Sequence, residues 1–422
     1  MGVQSVPPPS RSNPDSVRVP STFAALRHRN FRLWFVGQLL SLMGTWMQSV
    51  AQGWVVYAMT GSELALGTIT FFGSLPTLFL MLPAGALADR IPKRRLIVIT
   101  QTAMMLQAFV LSFLAATHVL RVWHVALLAF CLGILNSFDA PARQAMAVEM
   151  VDDRRDLMNA VALNSTMFNM ARVVGPAVGG IVLALMGPAW CFGLNGLSFV
   201  AVILALLSMQ FPPFERQPQT ESTLTQVQVG LQYILSNPDI RTMMSLVGVS
   251  QLFGFMYAVL LPAYAAQVLH VGETGLGTLN AATGIGALVG SLIVVSLGHS
   301  RSKGMLLTLG SFLFPAAVLL LAASNWLAFS MGCLALAGLG FVAQNATINT
   351  LIQNKIPDEL RGRVMAVYAL MFFGTTPFAA LLAGSLGQSL GVRAGVAIGG
   401  GVTMLFTIAV FLLVPSLRHV EG

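Results

Sequence analysis

Apolar residues fall along the chain in blocks of about 20 or more, broken by short polar segments. A block of that length crosses hydrocarbon only as a helix, because no water is present there to satisfy backbone N–H and C=O groups. The blocks predict spans near 31–57, 66–88, 95–117, 121–142, 161–186, 189–211, 242–268, 274–298, 304–323, 326–352, 362–389 and 393–415. Twelve such blocks predict an all-α integral membrane protein.

The polar breaks alternate in charge. Arg27, Arg29 and Arg32 precede the first span, and Arg90, Lys93, Arg94 and Arg95 follow the second. Arg143, Arg154 and Arg155 follow the fourth, Arg216 and Arg241 flank the link between the sixth and seventh, and Arg301 and Lys303 follow the eighth. Lys355, Arg361 and Arg363 follow the tenth and Arg418 the last, whereas the intervening loops hold only Arg121 and Arg393. This is the positive-inside pattern of an even number of spans with both ends in the cytoplasm. One span miscounted would break the alternation downstream.

Composition agrees with lipid as the solvent. The 422 residues are 56% hydrophobic and 9% charged, against about 25% charged in a soluble domain. The net charge of +8 sits in short loops between apolar runs, which makes it topological and excludes nucleic acid as a partner. The 40 glycines suit close helix packing in a bilayer. Cys131, Cys191 and Cys333 lie inside apolar blocks without metal spacing and read as packing residues. The segment MGVQSVPPPSRSNPDS is polar and proline-rich, with no early apolar core, and reads as a tail rather than a cleavable leader.

The halves echo one another. VDDRRDLMNAVA from Val151 aligns with PDELRGRVMAVY from Pro357, so that Asp152 matches Asp358 and Arg155 matches Arg361. Both segments join a fourth and a fifth span of their half. The organisation expected is a disordered cytoplasmic tail over 1–30, six helices over 31–211, a linker over 212–241, six helices over 242–415 and a tail over 416–422. Within the linker Leu224, Val227, Leu231, Ile234 and Leu235 share one helical face, which predicts a short helix on the membrane surface, with a plain linker as the alternative.

Two motifs carry chemistry. GALADRIPKRR, Gly85 to Arg95, resembles the signature loop of the major facilitator superfamily, Gly-x-Leu-Ala-Asp-Arg-x-Gly-Arg-Arg. Asp89, Arg90, Arg94 and Arg95 match, and Pro92 replaces the second glycine. In span five Gly175-Pro176-x-x-Gly179-Gly180 resembles the motif of the superfamily's exporters, especially proton antiporters. LRHRNFRLWFVGQLLSLMGTWMQ, NSFDAPARQAMAVEMV and NAVALNSTMFNMAR resemble the branch that includes enterobactin exporters and macrolide-efflux-like proteins.

The resemblance covers nearly the whole chain. It implies two six-helix bundles around a central cavity in a bacterial inner membrane, and export of a small molecule driven by protons. It also implies a conformational latch of Gly85, Asp89, Arg90, Arg94, Arg95, Arg143, Asp152, Arg155, Asp358 and Arg361. Such halves, related by an axis along the membrane normal, rock about a midplane site. A solute importer or facilitator of the same fold is the alternative; the Gly-Pro motif favours export. One chain holding both halves implies a functional monomer.

Span four departs from the drug-antiporter pattern: LLAFCLGILN is uncharged where those pumps carry an Arg. Asp139 and Arg172 are the ionisable residues placed inside the membrane, where such groups are costly and are functional candidates. Arg172 is expected on the cavity wall, meeting anionic cargo or sensing a carboxylate such as Asp139; the alternative is a helix-tethering pair of Asp139 with Arg143 or Arg172. Asn169 lies on the same span. Gln38, Thr45, Gln48 and Gln52 with Trp46, then Gln251, Tyr257 and Tyr264, then Gln344, Asn345 and Asn349, are expected either to line the path or to bond helix to helix.

The six histidines form no metal-spaced pair, and no cofactor or metal is expected. HExxH, paired protease-type aspartates and GxxxxGK[ST] are absent, so neither an intramembrane enzyme nor an ATP-driven pump is expected.

Overall fold

A computed structural model describes residues 21–88, 90–150, 156–209, 223–297 and 303–419. Its helices are α1 Arg29–Thr60, α2 Glu63–Ala88, α3 Lys93–Ala116, α4 Val122–Glu149, α5 Leu157–Met186 and α6 Pro188–Ser208. After a connecting helix, α7 Thr223–Ser236, come α8 Pro238–Val268, α9 Glu273–Leu297, α10 Lys303–Ala323 and α11 Leu327–Lys355. Last are α12 Asp358–Leu390 and α13 Val392–Leu413.

Eleven of these helices are both long and apolar enough to cross a membrane. The twelfth is α1, whose 32 residues are interrupted by Gln38, Ser41, Thr45, Gln48, Ser49 and Gln52. Gln38, Ser41 and Gln48 are buried, and Thr45, Ser49 and Gln52 line a cavity, so α1 spans without being uniformly apolar.

Local chemistry places the breaks. Gly61 ends α1 in the left-handed region, φ 58°, and returns its N–H to the Tyr57 carbonyl at 2.7 Å. Asn237 caps α8 by accepting from the Ile240 N–H at 3.3 Å, with Pro238 at the first turn. The junctions α5–α6 and α12–α13 each turn on one glycine of positive φ, Gly187 at 84° and Gly391 at 91°. These sit at the same place in each half, so the internal echo extends to the turns. In α8 two π segments, Ser250–Gly254 and Tyr264–Val268, interrupt the regular ladder.

Helices α1–α6 form one bundle and α8–α13 the other, as the spans predict. The bundles meet along two seams, α2 against α12 and α5 against α9. The starts of α1, α3 and α5 and the ends of α2, α4 and α6 lie at one end of the molecule, here termed the basic end.

Three expected boundaries differ. Ser21–Arg27 forms a short 3-10 helix, with Ala25 fully buried and its N–H on Asn159 Oδ1 at 2.9 Å, so this stretch is docked on α5 rather than a free tail. Residues 1–20 lie outside the described residues. At the other terminus Leu417 is fully buried and the 417–418 backbone lies against Gly304, so that end is docked too. The expected linker over 212–241 gives way to α8 at Pro238. Its helix α7 docks on α12, with Gly230 against the Arg363 carbonyl and Val227 and Ile234 in the second bundle's core, while Leu231 and Leu235 stay exposed.

Candidate functional site

A column of cavities runs from within the first bundle to the space between the bundles. The first, about 330 Å³, lies within the α1–α6 bundle and is lined by Thr45, Gln48, Gln52, Gln101, Asn136, Asp139, Arg143 and Asn195. The second, about 380 Å³, lies between the bundles under Trp46, Arg172, Pro176, Phe255, Tyr257 and Asn280. They share Ser49, Gly53, Leu66 and Thr70. A third, about 530 Å³, separates α2 and α4 from α7 and α12 toward the basic end, with Gly85, Asn136 and Gln144 facing Gln226, Ala366 and Phe373.

The floor of the first cavity is a charge pair on one helix. Asp139 and Arg143 are four residues apart on α4, with Nε 2.6 Å from Oδ2. That N–H is not aimed along a hydrogen bond, so the contact is a close charge pair rather than a well-formed one. Asp139 is 1% exposed and also accepts from Thr100 Oγ1 at 2.8 Å and from Gln101 Nε2 at 3.1 Å to each oxygen. Arg143 Nη1 donates to Gln38 Oε1 at 3.3 Å. Among the described residues Gln38 Nε2 and Gln101 Oε1 are buried without a partner, so this cluster holds unused donor and acceptor capacity beside its charges. Deeper in the same bundle Asn195 Nδ2 donates to Gln48 Oε1 at 2.8 Å and Gln48 Nε2 to Gln107 Oε1 at 3.3 Å.

Arg172 stands apart from that pair. It lies on α5, half-buried, with its guanidinium 5.9 Å from the centroid of the Trp46 ring. Among the described residues no carboxylate pairs with it. Tyr257, from α8, lines the same cavity. Of the two pairings the alternative allowed, Asp139 takes Arg143 and not Arg172, because one turn of the same helix places them side by side.

The Gly-Pro motif forms a junction of three helices. A Cβ on Gly175 would meet Trp46 Cβ at 2.7 Å and the Met43 carbonyl at 2.8 Å, and one on Gly179 would meet Met47 Cα at 3.0 Å, so both press α5 on α1. Gly180 turns to the other bundle, where a Cβ would meet the Glu273 carbonyl at 2.8 Å and Gly277 Cα at 2.9 Å. Pro176 lines the central cavity. Asn169, on the same helix, donates to the Ser165 carbonyl at 2.9 Å.

The column is sealed at the end away from the basic loops. There Gly67 approaches the Ala380 carbonyl and Gly384, and Ser62 Oγ donates to Gln388 Oε1 at 2.6 Å. Gln267 Nε2 reaches both Tyr57 Oη and Glu63 Oε1, each at 2.5 Å. Glu63 is a carboxylate only 4% exposed, and sequence reasoning passed over it because it opens an apolar span. Thr100, Gln101 and Glu63 have no motif; only their position opposite a partner marks them.

At the basic end the α2 seam parts. Among the described residues a Cβ on Gly85 would meet nothing within 4 Å, so this latch residue makes no close helix contact in this conformation. Arg94 donates to the Leu207 carbonyl at 2.9 Å within its own bundle, and Arg90 and Arg95 are exposed. Asp358 and Arg361 pair with each other along one turn of α12 at 2.5 Å. Asp89, Asp152 and Arg155, expected in the latch, lie outside the described residues.

In the second bundle Gln344, Gln251 and Tyr264 bond helix to helix, while Asn345 and Asn349 bond along their own helix α11. Gln344 is fully buried and meets Ser250 Oγ at 3.0 Å and the Leu246 carbonyl at 3.5 Å. Asn345 returns Nδ2 to the Phe341 carbonyl at 2.8 Å, and Asn349 accepts from Gln353 at 2.6 Å. Gln251 donates to the Phe372 carbonyl at 2.8 Å, and Tyr264 Oη to the Leu321 carbonyl at 2.6 Å.

Comparison with known proteins sets this geometry in a family. The family model described as "Transmembrane secretion effector" matches residues 20–422. The Staphyloferrin A transporter of Staphylococcus aureus is 24% identical over 92% of this chain and 97% of its own length. The enterobactin exporter EntS of Escherichia coli K12 is 27% identical over 93% of each chain, and the multidrug efflux pump Tap of Mycolicibacterium fortuitum 29% over 90% of this chain and 94% of its own. Among solved structures, a POT family transporter in complex with 5-aminolevulinic acid superposes with a TM-score of 0.73 at 12% identity, covering 92% of this chain and 96% of that one. The nucleoside transporter NupG (D323A mutant) superposes with a TM-score of 0.71 at 13% identity, covering 92% and 99%. These two likenesses establish the two-bundle fold.

Proposed function

The chain belongs to the transmembrane secretion effector family of major facilitator transporters, and from that premise we propose that it exports a small molecule across the bacterial inner membrane by alternating access, in exchange for protons. The positive-inside rule orients the basic end toward the cytoplasm. The conformation described is then the inward-facing one, ready to load cargo from inside the cell.

The observation that carries the reading is the asymmetry of the seams: closed at Gly67–Gly384 and Gly180–Gly277, parted at Gly85. A cavity closed at one end, with matching small-residue seams on both sides of it, is the form a rocking carrier requires. In the opposite state the outer seams separate and Gly85 closes on α12. The loops bearing Arg90, Arg94 and Arg95, and Asp358 with Arg361, then form the latch.

Asp139 is the proposed proton site. Its charged form holds Arg143 and accepts from Thr100 and Gln101; protonation releases Arg143 to the Gln38 side. Relatives named as an enterobactin exporter and a multidrug efflux pump support efflux of a small organic molecule.

The test is flux in inverted membrane vesicles with an imposed pH gradient, across a panel of siderophores and drugs. Gradient-dependent accumulation inside the inverted vesicles is expected. Accumulation only in right-side-out vesicles, or flux indifferent to the gradient, would replace export with import or facilitation.

A further inference from the structure

We infer that the central cavity is a subsite for an anionic group carried on an aromatic or conjugated planar ring, gripped by Arg172 and Trp46 of the first bundle and faced by Tyr257 and Phe255 of the second. This rests on the reading of the cavity as the cargo site and names the chemistry that site selects.

Charge comes first. Among the described residues, the charged side chains lining the two adjoining cavities are Asp139, Arg143 and Arg172. Asp139 and Arg143 neutralise one another at 2.6 Å. Arg172 is left as the uncompensated charge, and no acidic side chain lines its cavity. The field inside the column is therefore positive, and it attracts anions and repels cations.

Arg172 is also under-used by its own protein. Its guanidinium lies against the face of Trp46 at 5.9 Å, and among the described residues it makes no hydrogen bond or ion pair. A ring at that distance engages the charge of the guanidinium and leaves its N–H edges free to bind a carboxylate-like group in two-point fashion. An unpaired cation in a membrane span is costly and is tolerated only while water or a counter-ion reaches it. Closing the basic end around an empty cavity would strip that water. A bound anion replaces it, so the loaded carrier closes more readily than the empty one.

The walls specify the rest of the ligand. Trp46 extends from one side, edge-on to Phe168 with centroids 6.1 Å apart. From the other side Phe255 and Tyr257 stand edge-on at 6.2 Å. Aromatic faces on opposite bundles suit a flat ring between them, because ring–ring contacts favour offset or edge geometry at about 4.5–7 Å. Asn280 and Thr283 add neutral polar groups nearby. The shared border at Ser49, Gly53 and Thr70 lets the remainder of a larger molecule extend among the amides of Gln48 and Gln52.

The experiment is calorimetric titration of the purified full chain in detergent with four probes: 2-naphthoate, 2-naphthalenemethanol, cyclohexanecarboxylate and 2-naphthylmethylammonium. Naphthoate is expected to bind at least about tenfold more tightly than the alcohol and the ammonium probe, the effect of one charge-assisted contact, and about threefold more tightly than cyclohexanecarboxylate, the effect of its ring contacts. Arg172→Gln should remove that preference for the anion, Arg172→Lys should restore part of it, and Trp46→Leu should bring naphthoate down to the level of cyclohexanecarboxylate. Equal naphthoate affinity in wild type and Arg172→Gln, or a cationic probe that binds as tightly, would overturn the proposal. Should Arg172→Gln fail to fold, Arg172→Lys and Trp46→Leu decide it by the same titration. No gradient or direction enters this measurement, so failed export with intact naphthoate binding would retire the export reading and leave the subsite standing, and the converse would retire the subsite alone.

Discussion

Asp139 and Arg143 set the residue-scale economics of the first bundle. Breaking a buried pair from one side leaves the other charge without compensation, at a cost of about 3–5 kcal/mol. Asp139→Asn should therefore lower thermal stability in detergent strongly, and the double variant Asp139→Asn with Arg143→Gln should recover most of the loss. If Asp139 carries the proton, neither variant will move protons with cargo; coupled proton flux in the double variant would remove Asp139 from that role. Gln344 should behave differently. It is enclosed between α8 and α11, so Gln344→Ala should cost about 1–3 kcal/mol by leaving Ser250 under-bonded, with the apparent KM for cargo unchanged. A shifted KM would place Gln344 on the path after all.

At the scale of elements, the Gly-Pro motif acts as a face rather than as a set of contacts to a ligand. Gly175 and Gly179 seat α5 on α1, and Gly180 lets α5 and α9 touch backbone to backbone through Gly277. A methyl at Gly180 or Gly277 would meet backbone atoms at 2.7–2.9 Å, and backbone gives way only by moving the helix. Gly180→Ala and Gly277→Ala should thus loosen the outer seam while leaving each bundle folded. The check is labelling of Thr70→Cys, on the cavity wall, by a membrane-impermeant maleimide added from outside: about tenfold faster labelling is expected for a seam opened by about 1.4 kcal/mol. Unchanged labelling would mean that the seam does not set the conformational balance. The connecting helix α7 is bound in the same way. A Cβ on Gly230 would meet the Arg363 carbonyl at 2.5 Å, so α7 is fastened closely to the second bundle and moves with it.

For the whole molecule, the open and closed ends follow from where contact is lost along two seams. The outer end is fastened by Ser62 to Gln388 and by Gln267 to Tyr57 and Glu63. A bismaleimide joining Ser62→Cys to Gln388→Cys should hold that end shut and stop transport, while cargo still binds from the basic end. Turnover persisting in the cross-linked protein would show that the outer seam need not part. Gln267→Ala removes the group that bridges both bundles, and it should shift the population toward the outward-facing state, read as the same rise in Thr70→Cys labelling.

Twelve spans, their pairing into halves and the family were legible in the sequence because each is written in local chemistry: apolar length, loop charge and short motifs. Even α1 was legible, since its amides interrupt the hydropathy without breaking the length. Residue partners were not. Asp139 was visible as a buried charge, but Thr100 and Gln101 meet it from another helix, and nothing in their own neighbourhood marks them. Gln344 and Gln48 look alike in sequence, yet packing places one between helices and the other on the cavity wall. Arg172 was recognisable as a costly charge; that it lies over the Trp46 ring and pairs with no carboxylate among the described residues depends on how α1 and α5 seat on each other. The sequence by itself determined what each helix is, because hydrophobicity and propensity are properties of a segment. Only the tertiary structure decided which faces meet, which end is closed and which charge is left facing the cavity, because those depend on distances between residues far apart in the chain.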